Sequence, residues 1–481
     1  MATLLEVPKV EYDLMAVESI DRSTDNIVYR VYEPDVPLPT PSSTAQPLNI
    51  VYSIRDLGEF FLLGDSYINI EGNFSKADGA DLVNTNNPAL ECASTSFFSQ
   101  SRLRLNSQLI EDNSTLSHIN AFVRQLTTLS PDFVSTCGSN TNFILDENTG
   151  YAEDVEFYYE APAGAAQLSR EPTYNGGYRK RRLQAGAGES KVTSGADQLT
   201  GKVHRSYCVR LSDLFSAANC RKVMKNVSLR VELTTRTQAE MIFSDDETTS
   251  TKFNITKMQL VIAVHNPALD QLSRMESDLA SGQDINYQYL KYTTYESAVQ
   301  QATAGSYSSF TFNTSSQKPI ACFLTTQRIK AAGSLESAYN GMIFDNCNLN
   351  GVRVKVNGRQ YPYTEYEPSF YDSTGDRKSK IYARPYEELL RYMAKNYDIN
   401  SGALITSDQW ALLYPLYYIP FHNLPPSPSY SLTAELKCAN ATFPALDGTR
   451  DDNEYKVYLT VLTVGEFTIS GDRSGVIVRS Q

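Results

Sequence analysis

The sequence holds one Trp, four His and no Cys-x-x-Cys pair in 481 residues. Its seven Cys, at 92, 137, 208, 220, 322, 347 and 438, are odd in number and irregularly spaced, which argues against a disulfide framework and against a zinc site. Reduced, partly buried thiols are expected instead. The His residues, at 118, 204, 265 and 422, form no HxH, HExxH or HxxxH spacing, so no metal and no cofactor are expected. A G-x-S-x-G elbow is absent, and "GADQLTGKV" around Lys202 lacks both the glycine spacing of a phosphate loop and the Ser or Thr that should follow its Lys. No apolar run reaches the length of a membrane-crossing helix, and "MATLLEVPKVEYDLM" meets Pro8 and charges too early for a signal peptide, so synthesis in the cytosol is expected. Positive charge is short as well. With 43 Lys and Arg against 55 Asp and Glu, a net of −12, contact with nucleic acid would be local at most.

What is abundant is Tyr, with 31 residues, and Phe, with 20, spread among Val, Ile and Thr, the composition of pleated, half-buried surfaces. An all-β chain is expected. Its length suits two cores, because single cores rarely grow past roughly 250 residues. Internal repetition points the same way. Arg102-Leu-Arg-Leu-Asn106-Ser, within "FFSQSRLRLNSQLIED", is echoed about half a chain later by Arg353-Val-Lys-Val-Asn357-Gly, within "FDNCNLNGVRVKVNGRQYPY". A second echo follows in the same order, "NVSLRVEL" (Asn226 to Leu233) and "SYSLTAEL" (Ser429 to Leu436), each leading into a long alternating strand.

Between the two echoes of each copy lies a helix signal. Ser114 is placed to cap a helix carrying Leu116, Ile119, Phe122, Val123 and Leu126 and stopping near Pro131; "RPYEELLRYMAKNYDINSG" places Tyr386, Leu389, Leu390, Met393 and Tyr397 on one stripe, with Gly402 as the stop. Two tandem eight-stranded jelly rolls with short helices between strands would produce this order. The expected organisation is an extended, Pro-rich arm over 1–47, a first jelly roll over 48–270 and a second over 271–481. The first copy is longer between its landmarks, and the unpatterned Gly-, Ala- and Ser-rich stretch 161–202 reads as an exposed loop.

That loop carries the one dense cationic run, Arg179, Lys180, Arg181 and Arg182, which reads either as a localisation or interior-contact patch or as a solvated loop tip. Two other features compete for chemistry. The acidic runs Asp245 to Glu247 and Asp451 to Glu454 lack the alternation of a calcium loop. The aromatic cluster "YPLYYIPFHNLPPSPSY" (Tyr414 to Tyr430) is either a sugar-stacking platform or a strand leaving into a rigid loop.

At the doubled motif the chain resembles the double jelly-roll major capsid proteins of Polinton (Maverick) elements and adintoviruses, in the adenovirus-hexon and large-DNA-virus lineage. "VYSIRDLGEFFLLGDSYINIEGNFSKADG" looks like the family's first strand pair, "SFFSQSRLRLNSQLIED" its Phe-Ser strand, and "NGVRVKVNGRQYPY" the corresponding part of its second domain. "NGMIFDN" departs from the Asn-Pro-Phe expected before that strand. The resemblance, from about residue 48 onward, implies a non-enzymatic shell protein without cofactors. Three copies would form a pseudo-hexagonal homotrimer that tiles an icosahedral capsid around double-stranded DNA in the virion, with penton and minor capsid proteins as partners. The alternatives are a jelly-roll carbohydrate-binding protein or glycosidase, and a minor spike or domesticated copy of the capsid gene.

Overall fold

Alternation of apolar and polar side chains builds most of the strands. In the long strand Phe61–Lys76, Leu63, Ile68, Ile70 and Phe74 are buried while Asn69 and Glu71 face outward, as a half-buried strand requires. The computed structural model describes residues 24–38, 47–76, 79, 88–147, 175–184, 204–244, 251–268, 272–273, 276–277, 281, 284–313, 317–332, 339–370, 379–443, 450–472 and 475–480.

Among these residues the strands of the first half make two antiparallel sheets. One runs β1 (Thr24–Tyr32), β10 (Thr251–Pro267), β3 (Phe61–Lys76) and β7 (His204–Arg210); the other runs β2 (Asn49–Leu57), β8 (Val227–Thr235), β5 (Phe98–Leu105) and β6 (Gln108–Asn113). A short ribbon pairs β4 (Pro88–Leu90) with β9 (Ile242–Ser244). The second half repeats the plan. Its sheets run β11 (Asp284–Glu296), β19 (Arg450–Asp472), β14 (Pro319–Lys330) and β17 (Tyr417–Pro420), and then β13 (Tyr307–Asn313), β18 (Ser431–Cys438), β15 (Leu349–Val356) and β16 (Arg359–Tyr366). Two further strands, β12 (Gln300–Gln301) and β20 (Gly475–Ser480), also pair with β19. Read in chain order, each half places its eight principal strands at the same positions of two four-stranded sheets, which is the jelly roll, and the chain carries two of them.

The match brings a correction. Regular structure begins before residue 48: β1 stands in the first sheet where β11 stands in the third, so residues 24–32 are the opening strand of a jelly roll and not part of an extended arm. The rest of the expected arm, residues 1–23 and 39–46, lies outside the described residues.

The helices sit between mid-sheet strands as expected, with shifted ends. Helix α1 (Ser117–Thr128) starts at Leu116 rather than Ser114, and Pro131 opens a second helix, α2 (Pro131–Cys137), because Ser130 Oγ accepts the Phe133 N–H at 3.2 Å and caps it. Within the stretch expected to be a loop lies α3 (Gly176–Gln184). Short helices α4 (Leu211–Leu214) and α5 (Gln238–Met241) follow, and α6 (Ala383–Met393) and α7 (Ser407–Leu412) belong to the second half.

Two large apolar cores result, and each borrows from the other half. Ile119, Phe122, Val123 and Leu126 of α1 pack into the core of the second jelly roll, where the Phe122 ring lies 6.0 Å from Phe344 and 5.9 Å from Tyr414. In return Tyr287, Tyr289, Phe467 and Ile469 of the second half enter the first core. The jelly rolls are therefore joined by packing as well as by the chain.

Candidate functional site

The doubled motif is a pair of equivalent hairpins. Asn106 and Ser107 turn β5 into β6 with φ of 45° and 67°, and Asn357 and Gly358 turn β15 into β16 with φ of 48° and 82°. Two successive left-handed residues make the turn whose twist matches the strands, and Asn and Gly adopt it at least cost. Each Asn is tied to the neighbouring strand in the same way. The Asn106 N–H donates to the Ser228 carbonyl (2.9 Å) and its Oδ1 accepts from the Ser228 N–H (2.7 Å); Asn357 and Ser431 repeat both bonds at 3.0 and 2.8 Å. The cations of the motif face outward and meet the Glu of the second echo. Arg102 stands opposite Glu232 and Arg353 opposite Glu435. Arg104 and Arg230 flank Glu232 at 3.5 and 2.7 Å, while Arg353 and Lys355 hold Glu435 at 2.6 Å each. For Glu435 burial pushes the carboxyl up, but hydrogen bonds from Lys355 and Arg353 outweigh this and hold it below the usual range. The repeated residues thus set turn and register.

The two halves part company at their opening strands. The free edge of β11 is capped by the first jelly roll: Tyr287 Oη donates to the Val223 carbonyl (3.0 Å), Tyr289 Oη to the Ile110 carbonyl (3.3 Å), and Lys222 Nζ to the Asn286 carbonyl (2.8 Å). The counterpart β1 leaves Ile27, Tyr29 and Val31 exposed on one face, with Tyr29 lying 6.2 Å from the Tyr67 ring. Exposure also concentrates on β16. There Lys355 and Val352 of β15 stand opposite Gln360 and Tyr366, whereas Arg104 and Ser101 of β5 stand opposite Leu109 and Asn113. The longer bulge on β16 re-aims its side chains and leaves Tyr363 96% exposed. Sequence reasoning missed both surfaces. The alternation in "TDNIVYRVY" was a usable signal for β1, but the prolines that follow it suggested an arm.

The basic run is not a loop tip. It lies on α3, and Arg181 is buried at 1% exposure. Its Nη2 meets Asp146 Oδ1 at 2.8 Å and its Nε donates to the Leu90 carbonyl at 3.0 Å. Lys180 remains exposed, reaching Glu147, and Arg182 lies over the Tyr178 ring; Arg179 lies on the same helix. Asp146 also accepts from Asn175 (2.8 Å) and from Asn340 (3.0 Å) across the join between the jelly rolls. A buried ion is tolerated where its remaining lone pairs are satisfied. The run is split: Arg181 anchors the helix, and Lys180 faces outward.

Nothing in the described residues resembles a reaction centre. A groove of about 820 Å³ opens between the jelly rolls, but Arg210 grips its Asp213 at 2.9 and 2.7 Å and His265 reaches its Asp65 at 3.2 Å. Other buried carboxylates are likewise taken up: Glu111 by the N–H groups of Ser216 (3.0 Å) and Ala217 (2.9 Å), Asp345 by Arg450 (2.6 Å). Tyr414, Tyr417 and Tyr430 of the aromatic cluster are buried in the second core and offer no platform to a sugar. Asp451 accepts the N–H groups of Asn453 (2.7 Å) and Glu454 (2.8 Å), while the run Asp245 to Glu247 lies outside the described residues. No group of His, Cys, Asp and Glu suited to a metal ion occurs among the described residues. All seven Cys are free, and burial pushes the thiols of Cys208, Cys220 and Cys438 up to about 11, away from reactivity. No described helix is long and apolar enough to cross a membrane.

Comparison with known proteins agrees with this reading. The double jelly roll-like domain family matches residues 186–420, a span that includes parts of both halves. No curated protein sequence matches the chain. Among solved structures, the chain is similar to the mavirus major capsid protein, with 10% identity, a TM-score of 0.52 and coverage of 97% of this chain and 92% of that one. It is similar to a chain of the Sputnik virophage structure at 11% identity, TM-score 0.54, covering 98% and 92%, and to the Faustovirus major capsid protein at 9% identity, TM-score 0.51, covering 94% and 92%. At these identities the likeness is one of fold. The fold is the double jelly roll, and the proteins matched are structural rather than enzymatic.

Proposed function

We propose that the chain is a major capsid protein that assembles as a homotrimer of pseudo-hexagonal outline and tiles an icosahedral shell around a double-stranded DNA genome. The observation that carries the reading is the pair of jelly rolls of identical strand order, fused side by side through exchanged core residues, over a span that matches the mavirus capsid chain nearly end to end. Three such chains offer six similar units to six neighbours while closing as a ring. The virion is the place of work, penton and minor capsid proteins are the expected partners, and the motifs resemble those of the Polinton and adintovirus group. Of the basic run, exposed Lys180 serves a local contact, and buried Arg181 is retained for folding. The test is the mass of the purified chain by light scattering. A value of about 161 kDa, three times 53.7 kDa, with hexagonal particles in negative stain, is expected; a monomer at assembly concentrations would sink the proposal.

A further inference from the structure

Five of the seven thiols are buried, and the two that are not, Cys137 and Cys208, lie on elements packed against each other. On β7, Tyr207 and Val209 point into the first core, so Cys208 and Arg210 share the opposite face, and α2 lies against that face. Two contacts fix how helix and strand meet. The Arg210 guanidinium sits 4.1 Å from the centre of the Phe133 ring. The Cys208 N–H donates to the Asn140 carbonyl (2.8 Å), in the turn where the Cys137 carbonyl accepts the N–H groups of Asn140 (3.0 Å) and Thr141 (3.2 Å).

These contacts set the register. Helix residues four apart and strand residues two apart repeat at similar spacing, roughly 6 Å and roughly 7 Å. With Phe133 against Arg210, the next residue of that helix face, Cys137, falls beside the next residue of that strand face, Cys208. Both thiols can be reached from solvent: Cys208 lines the groove between the jelly rolls, and the Cys137 sulfur accepts the exposed Thr136 hydroxyl at 3.6 Å. Burial raises Cys208 to about 11 against the pull of Arg210, with Asp213 and the Cys137 sulfur adding to the rise, so Cys208 stays protonated at neutral pH and Cys137 meets an oxidant first.

We propose that Cys137 and Cys208 form an oxidative modification site, in which glutathione disulfide joins them within one chain and straps α2 to β7. The Cys137 thiolate attacks one sulfur of glutathione disulfide, giving a mixed disulfide on Cys137 and one glutathione thiolate. Cys208 then attacks the Cys137 sulfur; the bond to glutathione breaks, the bond between Cys137 and Cys208 forms, and the second glutathione leaves. The two cysteines lose two electrons and two protons, all of which end on the two glutathione molecules. Cys208 reacts in spite of its raised pKa because the mixed disulfide is held beside it in the same chain. Thiols stay reduced in the cytosol and pair in oxidising surroundings, so the site stays open in the cell and closes outside it. The capsomer reading is not needed for it.

The full-length chain, folded and reduced, is incubated with glutathione disulfide, its remaining thiols are capped with N-ethylmaleimide, and the digested chain is mapped by mass spectrometry. The parent should yield a peptide pair linked through Cys137 and Cys208, with the five buried thiols unoxidised. Cys208→Ser should stop at a glutathione adduct on Cys137, and Cys137→Ser should leave Cys208 free. The oxidised parent should unfold at least ~3 °C above the reduced parent, a rise absent from both variants. A parent that stalls at the adduct, links either residue to another Cys or to a second chain, or stays fully reduced overturns the site; a linked chain that unfolds no higher overturns the strap. The parent map decides even where a variant folds poorly.

Discussion

Tyr289 and Tyr29 occupy equivalent strands of equivalent sheets, yet one is an anchor of a core and the other lies open. The two rings leave opposite faces: Tyr29, opposite Ala263 and beside Tyr67, points away from its own core, whereas Tyr289, opposite Gly465, lies on the face that carries Leu459 and Val461. Each Tyr sits over a small partner, and at Gly465 an added Cβ would come within 2.5 Å of the Tyr289 ring, so that site is fitted to its aromatic. Face and neighbour both differ: the first jelly roll covers the face that bears Tyr289, whereas Tyr29 is left 52% exposed. Duplication copies an element's shape, and its burial depends on what stands beside it.

Three pairs of substitutions would break or sharpen this comparison. The largest effect is expected for Tyr289→Ala, which removes a buried ring and should cost about 3–5 kcal/mol in urea unfolding, against less than ~0.5 kcal/mol for Tyr29→Ala in the unassociated chain. Equal losses would mean that β1 is covered within its own chain. Next come Asn106→Ala and Asn357→Ala, each expected to cost about 1–2 kcal/mol, since both remove a side-chain acceptor and place a Cβ residue with poor left-handed preference in the turn. Similar values would support hairpin equivalence, whereas a large disparity would show that one turn is held by other contacts.

The smallest effect concerns Glu435, whose carboxyl lies below the usual range in the folded chain. A lowered folded pKa contributes stability above the unfolded value, about 4.3, and this is lost as pH falls through the folded value. Glu435→Gln should therefore cost about 0.5–1.5 kcal/mol at pH 7, and the gap from the parent should close as the solution is acidified below the unfolded value. The same change at Glu232, where Arg104 stands off at 3.5 Å, should cost less. A Glu435→Gln gap that persists unchanged in acid would refute the ion-pair account.

Much of the fold was legible because its signals are local. Alternation marks the strands, and Asn before Ser or Gly marks each hairpin. The two echoes, Arg102 to Asn106 with Ser228 to Leu233 and Arg353 to Asn357 with Ser431 to Leu436, pair in matching register in both halves. The failures have physical causes as well. Prolines from Pro34 onward masked the alternation of β1 just before them. Four adjacent cations resemble a solvated surface, and Arg181 escapes that rule because Asp146, distant in sequence, supplies a buried countercharge. The bulge that exposes Tyr363 depends on how β16 registers against β15, a pairing that composition does not express.

The sequence by itself determined the secondary structure of the repeated unit, its doubling and the absence of the usual catalytic and metal-binding motifs, because turn geometry, side-chain period and residue chemistry act over a few neighbouring residues. Tertiary structure alone decided which of these surfaces are covered. Whether Tyr289 is buried and Tyr29 exposed, or whether Arg181 is an anchor or a patch, depends on which residues far along the chain come to lie against it. Packing and the pairing of buried charge make that choice, since both act between groups that only folding brings together.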